Sequence, residues 1–240
     1  MIGLGTLVNA AAIIVGGLLG FFFGHLLKES HQDSLTKACG LSVLFISVAG
    51  AMEGMLSIKD GALTSGQAMF IVICLAVGTL IGELIGLEAL IEKFGEFLKR
   101  KTGNAKDNNF VNAFVTASLT VCIGAMAIVG AIQDGLTGDH TTLFVKALLD
   151  FIIILVMTSS MGKGCVFSAL PVLLFEGAVT LLATVISPIM TDAMIRSVSL
   201  IGSLLIFGVG VNLVWGKTFR VANMLPAIII AAAAAPFLSV

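Results

Sequence analysis

The chain has 240 residues, 58% of them hydrophobic and 11% charged, with a formal net charge of −1 and a mean hydropathy of +1.11. A soluble domain carries about 25% charged residues, so this much apolar surface requires lipid as its solvent. The near-zero net charge excludes the basic field that nucleic acid would need.

A membrane helix takes about 20 apolar residues at a rise of about 1.5 Å each. In chain order, eight stretches qualify: 2–27, 37–57, 67–87, 109–133, 142–161, 167–187, 195–216 and 221–239. The expectation is an all-α integral membrane protein of about eight transmembrane helices, forming one polytopic membrane domain over 1–240. The opening "MIGLGTLVNAAAIIVGG" has no positive leader ahead of its apolar run, so no cleaved signal peptide is expected.

Spans two and four carry a repeated phrase. "GAMEGMLSIKDG" (Gly50 to Gly61) and "GAMAIVGAIQDG" (Gly124 to Gly135) match at six of twelve positions with an offset of 74. Each closes on Asp-Gly, a turn dipeptide. The offset also pairs Phe70 with Phe144 and Leu75 with Leu149, so the predicted unit is a helical hairpin, 37–87 and 109–161. A weaker echo occupies 195–239, around "GVGVNLVWGKTFRVANMLP", with helix direction opposed as in inverted repeats.

After span three, "LEALIEKFGEFLKR" sets Leu87, Leu90, Ile91, Phe94, Phe97 and Leu98 on one helical face and charges on the other. It reads either as an amphipathic helix at the inner surface or as a solvated continuation of the span. The link between spans five and six, "SSMGKGC", is short, and Pro171 falls in the first turn of span six. Basic residues orient the chain. Lys99, Arg100, Lys101 and Lys106 place the link after span three in the cytoplasm; alternation puts Lys28, Lys37, Lys163, Lys217 and Arg220 on the same side. The outer links then hold Lys59 and Arg196 with Asp60, Asp134, Asp139 and Asp192, and both termini are outside.

Polar residues within spans are expensive, about 2.5–3.5 kcal/mol for a charge at the bilayer centre, and so mark function. Glu176 is the deepest, about 13 Å past Phe167 along a helix. It is an ion or proton site, or else a neutral acid fastening two helices. Asp150 lies one turn after Lys146, the spacing of an i,i+4 ion pair. Glu53 stands where the second copy of the phrase has Ala127, so one copy does without the acid. Asn9, Asn112 and Asn212 suit interhelical hydrogen bonds; Asn9 and Asn212 follow closely spaced glycines and join Glu176, Glu53 and Asp150 as the expected substrate- or ion-binding residues.

No GxxxxGK[ST], HExxH or GxSxG motif is present. His25, His31 and His140 are scattered at span edges, and Cys39, Cys74, Cys122 and Cys165 have no CxxC spacing. No catalytic residue, metal or cofactor is expected.

"GTLVNAAAIIVGGLLG", "GAMAIVGAIQDGLTGD", "FSALPVLLFEG" and "VANMLPA" occur in this order and together resemble the YqgA/YdfK-like family of bacterial membrane proteins, a domain of unknown function. The resemblance covers nearly the whole chain and implies a multi-pass protein of the bacterial inner membrane. It assigns no substrate and no active residues. In the family's pattern Gln often stands where this chain has Glu176.

Two functional readings follow. The first is a transport protein or channel for a small polar solute or ion, with an intramembrane carboxylate as its ion or proton site. The second is a non-transporting scaffold or sensor, in which small-residue faces serve homo-oligomer or partner contacts. An intramembrane enzyme is disfavoured, because no acid pair has a known catalytic spacing.

Overall fold

Helices form where the apolar runs predict them. The structure, a computed structural model, describes residues 1–24, 26, 28–59, 61–123, 125–188 and 190–235. In chain order these form α1 (Leu4–Gly24), α2 (Glu29–Met55), a hairpin of β1 (Leu56–Lys59) and β2 (Ala62–Ser65), α3 (Ala68–Ile85), α4 (Leu87–Lys101), α5 (Phe110–Cys122), α6 (Ala125–Thr137) and α7 (Thr141–Met161). A 3₁₀ segment (Lys163–Ser168) leads into α8 (Ala169–Leu181); then come α9 (Ala183–Ile186), α10 (Asp192–Trp215), α11 (Val221–Met224) and α12 (Pro226–Ala234).

Among the described residues, six helices are long and apolar enough to cross a membrane, and the bent pair α5–α6 would make a seventh. Their burial pattern is that of a lipid-solvated bundle. In α1 the buried residues are Gly5, Thr6, Asn9, Ala10, Ile13, Gly16, Gly17 and Gly20, whereas Leu7, Val15, Leu18 and Phe22 face outward. Small and polar residues inside with large apolar residues outside is the arrangement in which close packing, not water exclusion, joins helices.

The helices group into two compact units, each drawn from segments distant in sequence. The first contains residues 1–39, 89–122 and 126–189. Its spine is α1 against α7. A Cβ added at Gly16 would lie 2.6 Å from the Phe151 carbonyl oxygen, one at Gly24 2.9 Å from that of Ser159, and one at Gly20 would collide with that of Leu155. Both series advance by four residues in the same sense, so the two helices run parallel, and only glycine permits their backbones to meet. α8 runs antiparallel to α1, with Thr6 opposite Thr180 and Asn9 opposite Glu176. α4 packs Leu98 on Phe110 and Phe114 of α5, while Phe110 meets Phe167 at 5.1 Å between ring centres.

The second unit contains residues 40–88, 123–125 and 190–240. The later half of α2 lies antiparallel to α10: Gly40 meets Leu213 and Val214, Gly210 meets Leu44, and Gly54 meets Leu200. α3 lies antiparallel to α11 and α12, with Gly82 against the Asn223 backbone and Gly78 against that of Ala227. Pro226 opens α12, where its missing N–H costs no helical bond.

Four expectations are revised. The span predicted at 109–133 is two helices, α5 and α6, whose axes differ by 62°. The repeated phrase adopts two conformations. Its first copy leaves α2 for the β hairpin, which the apolar periodicity does not reveal, whereas the second continues as helix through Gly135. The second Asp-Gly is therefore no turn: Asp134 is fully buried in α6, not in an outer link. Finally, α4 is a helix in its own right, because Gly86 at φ +71° ends α3, a conformation that costs glycine little. His25, Asp60, Gly124 and the end of the eighth predicted span, residues 236–239, lie outside the described residues.

Candidate functional site

The spacing of Lys146 and Asp150 puts both on one face of α7, one turn apart, and they form an ion pair. α8 brings Glu176 to the same ammonium, with its Oε1 3.4 Å from Lys146 Nζ. α1 adds Asn9, whose Nδ2 donates to Glu176 Oε1 at 2.9 Å and Oε2 at 3.2 Å. α5 supplies the fourth wall. It ends at Cys122, so its last carbonyls have no helical partner, and Lys146 Nζ donates to the Val121 carbonyl at 2.8 Å. A cation at a helix C-terminus is also favoured by the helix dipole.

All four side chains are buried: Asn9 is 0% exposed, Glu176 1%, Asp150 5% and Lys146 6%. The ammonium donates to Asp150 and to the Val121 carbonyl, and Glu176 stands at ion-pair distance from it. Two features remain open. One ammonium faces two carboxyl groups, so with both ionised the cluster carries one uncompensated negative charge. Asn9 Oδ1 has no hydrogen-bond partner among the described residues. A hydroxyl pair, Thr6 Oγ1 and Thr180 Oγ1 at 3.3 Å, lies one turn back toward the N-terminus of α1 and one turn further along α8. Counted from the N-terminal ends of α1 and α7, Asn9 is about 7.5 Å along its helix and Asp150 about 13.5 Å.

The structure thus joins three of the five expected site residues, Asn9, Asp150 and Glu176. It does not recruit the other two to a site. Asn212, in the second unit, caps its own loop: Oδ1 accepts from Thr218 N and Phe219 N, each at 2.8 Å, and Nδ2 donates to the Phe219 carbonyl at 2.8 Å. Glu53 is exposed on α2, and Asn112 is exposed on α5. Lys146, expected only as a partner for Asp150, is the hub. Its sequence signal was present, since a lysine five residues into an apolar helix is as costly as the acids beside it.

A third buried acid escaped the sequence reading. Asp134 Oδ1 accepts from Gly3 N at 2.9 Å and Oδ2 from Gly5 N at 3.0 Å, so its carboxylate caps the positive end of α1. His140 Nδ1 stands 3.0 Å from the same carboxylate. In the adjoining link Asp139 accepts from the Thr141 N–H at 3.0 Å and its hydroxyl at 2.7 Å, and these bonds hold its carboxyl below the usual range. Among the described residues, no group of three or more His, Cys, Asp or Glu is placed to hold a metal ion.

The family model described as "Protein of unknown function (DUF554)" matches residues 4–235. The uncharacterized membrane protein YdfK of Bacillus subtilis (strain 168) is 29% identical over 227 residues, covering 94% of this chain and 93% of the relative. The uncharacterized protein YqgA of Escherichia coli (strain K12) is 28% identical over 232 residues, covering 95% and 94%. No solved structure matches.

Proposed function

The chain belongs to the DUF554 family and is a multi-pass membrane protein of several apolar helices; from that premise we propose that it is a transport protein or channel for a small polar solute or ion, with Glu176 as its intramembrane binding group. The observation that carries this reading is the burial of Lys146, Asp150, Glu176 and Asn9 together with one carboxyl in excess. Buried charge is costly in a membrane bundle and persists there in ion and substrate pathways. A break between helices beside that charge, as at the end of α5, is how membrane proteins expose backbone carbonyls to a bound cation.

The reading includes eight crossings, with both termini outside and the membrane being the bacterial inner one. Helix directions support the count. Successive crossings alternate in direction, so the parallel packing of α1 and α7 requires an odd number of crossings between them. α2 and α3 supply two, and the bent pair α5–α6 supplies the third. The antiparallel pairs α2 with α10 and α3 with α12 agree with places two, seven, three and eight. The last place falls to Val221–Ala234, shorter than the other spans. The helical-hairpin duplication belongs to the same proposal at the level of sequence only, given the two conformations of its phrase.

Purified protein in liposomes, screened for ion and solute flux, tests the reading. Flux is expected from the wild type and its loss from Glu176→Gln. Flux indifferent to that substitution removes Glu176 from the mechanism, and no flux across a broad panel counts against transport. The exposed Leu90, Phe94 and Phe97 of α4 favour a second reading, a scaffold that engages lipid headgroups or a partner. One stoichiometric partner crosslinked in native membranes, with no flux, would support it.

A further inference from the structure

We propose that the Asn9–Lys146–Asp150–Glu176 cluster is an exchange site, at which one small monovalent cation replaces one carboxyl proton. This deepens the transport reading and rests on it for its physiological meaning, but the binding event can be measured alone.

Charge sets the valence of the occupant. Lys146 contacts both Asp150 and Glu176 but carries one positive charge, so it neutralises only one of the two carboxylates. The remaining negative charge lies where water cannot solvate it, which requires one further positive charge, either a proton or a single monovalent ion. A divalent ion would leave the cluster positive by one.

Donor chemistry sets the class. Asn9 turns its nitrogen to Glu176 and leaves Oδ1, fully buried and without a partner, on the same amide. Carboxylate and amide oxygens are hard donors that suit hard cations. A proton on Glu176 or Asp150 satisfies the charge but leaves Asn9 Oδ1 unmatched. An alkali cation held between that oxygen and the carboxylates satisfies both. On exchange, the carboxyl O–H bond breaks, the proton passes to water, and the cation takes its place on the carboxylate oxygen.

The titratable groups that bear electrostatically on Glu176 are Lys146 and Asp150 from α7, with the Cys122 thiol at the end of α5 within the same field. α1 contributes only the Asn9 amide and the Thr6 hydroxyl, and Thr180 is the further polar neighbour on α8.

The experiment uses purified full-length protein in weakly buffered detergent solution with a pH-indicating dye. LiCl, NaCl, KCl, MgCl₂ and choline chloride are added in turn at equal ionic strength, at pH values between about 5 and 9. At least one alkali chloride is expected to release protons, approaching one per chain, whereas choline chloride releases none. Glu176→Gln should lose the release, Asn9→Leu should need at least about tenfold more salt, and Glu83→Gln should behave as wild type. Wild-type protein that releases no protons specifically to alkali ions at any pH overturns the proposal even if no variant folds. Release that survives Glu176→Gln, or that is larger with MgCl₂, overturns it too. Flux in liposomes without alkali-linked release would sink the exchange site and leave transport standing. Release without flux would do the reverse.

Discussion

The two helical units use the same backbone device and opposite polar designs. In the first, Gly16, Gly20 and Gly24 bring α1 onto α7; in the second, Gly78 and Gly82 bring α3 onto α11 and α12. The first then buries an ammonium and three carboxyl groups within its helices, those of Asp134, Asp150 and Glu176. The second keeps its charges near helix ends: Lys217 pairs with Glu88 at 2.6 Å and Arg220 with Glu83 at 3.2 Å, while Asn223 Oδ1 accepts from the Glu88 N–H at 2.7 Å. Small residues are thus a general means of joining helices in lipid, whereas among the described residues a buried ammonium, Lys146, occurs in the first unit and marks where chemistry is expected.

Substitutions can break this contrast, and thermal unfolding in detergent measures each. Lys146→Met should have the largest effect, a loss of about 3–5 kcal/mol, because it leaves two carboxyl groups buried without their counter-charge. Adding Glu176→Gln should recover part of that loss, and a double variant no more stable than Lys146→Met would deny that the three groups form one electrostatic unit. Gly20→Leu and Gly82→Leu should each cost about 1–3 kcal/mol or more through overpacking against a neighbouring backbone, and by similar amounts if the glycine device is shared. A large inequality would show that one unit tolerates separation of its helices.

Asn223→Ala should cost about 1–3 kcal/mol by leaving the Glu88 N–H unmatched. Lys217→Met removes the exposed partner of a buried acid and should cost less than Lys146→Met, whose buried ammonium serves two carboxyl groups. A loss approaching that of Lys146→Met would erase the contrast between the units. The smallest effect concerns pH. Bonds from Thr141 depress the Asp139 carboxyl, so its contribution is present above the unfolded aspartate range and fades as pH falls through the lower folded value. Asp139→Asn should flatten that part of the acid-unfolding profile, and an unchanged profile would mean that the bonds do not persist in solution.

The helical spans were legible because a membrane leaves the sequence few ways to place apolar runs. So were Glu176, Asp150 and Asn9, since a polar group in such a run is conspicuous by its cost. Their convergence was not legible, because it depends on the order in which α1, α7 and α8 pack, and helices equally apolar can be arranged in many ways. Lys146 was visible but assigned to the nearest acid, and only the third dimension supplies Glu176. Asn212 and Glu53 do not join the cluster, for a simple reason. Chain position does not distinguish a polar group facing a bundle's interior from one that closes its own loop or faces outward. Asp134 was hidden by its Asp-Gly context, which in one copy of the phrase precedes a strand and in the other continues a helix.

The flush contact of α1 on α7 has a mechanical corollary. With no α1 side chain between the two backbones at Gly16, Gly20 and Gly24, no rotamer change there can absorb a shift of one helix against the other, which fixes Asn9 relative to Lys146 and Asp150. Freedom is left to α8, which reaches α7 through Gly162 at φ +98°, a pivot few other residues adopt. The distances among Lys146, Asp150 and Glu176 therefore depend on the placement of one element, α8, against an edge that α1 and α7 form together.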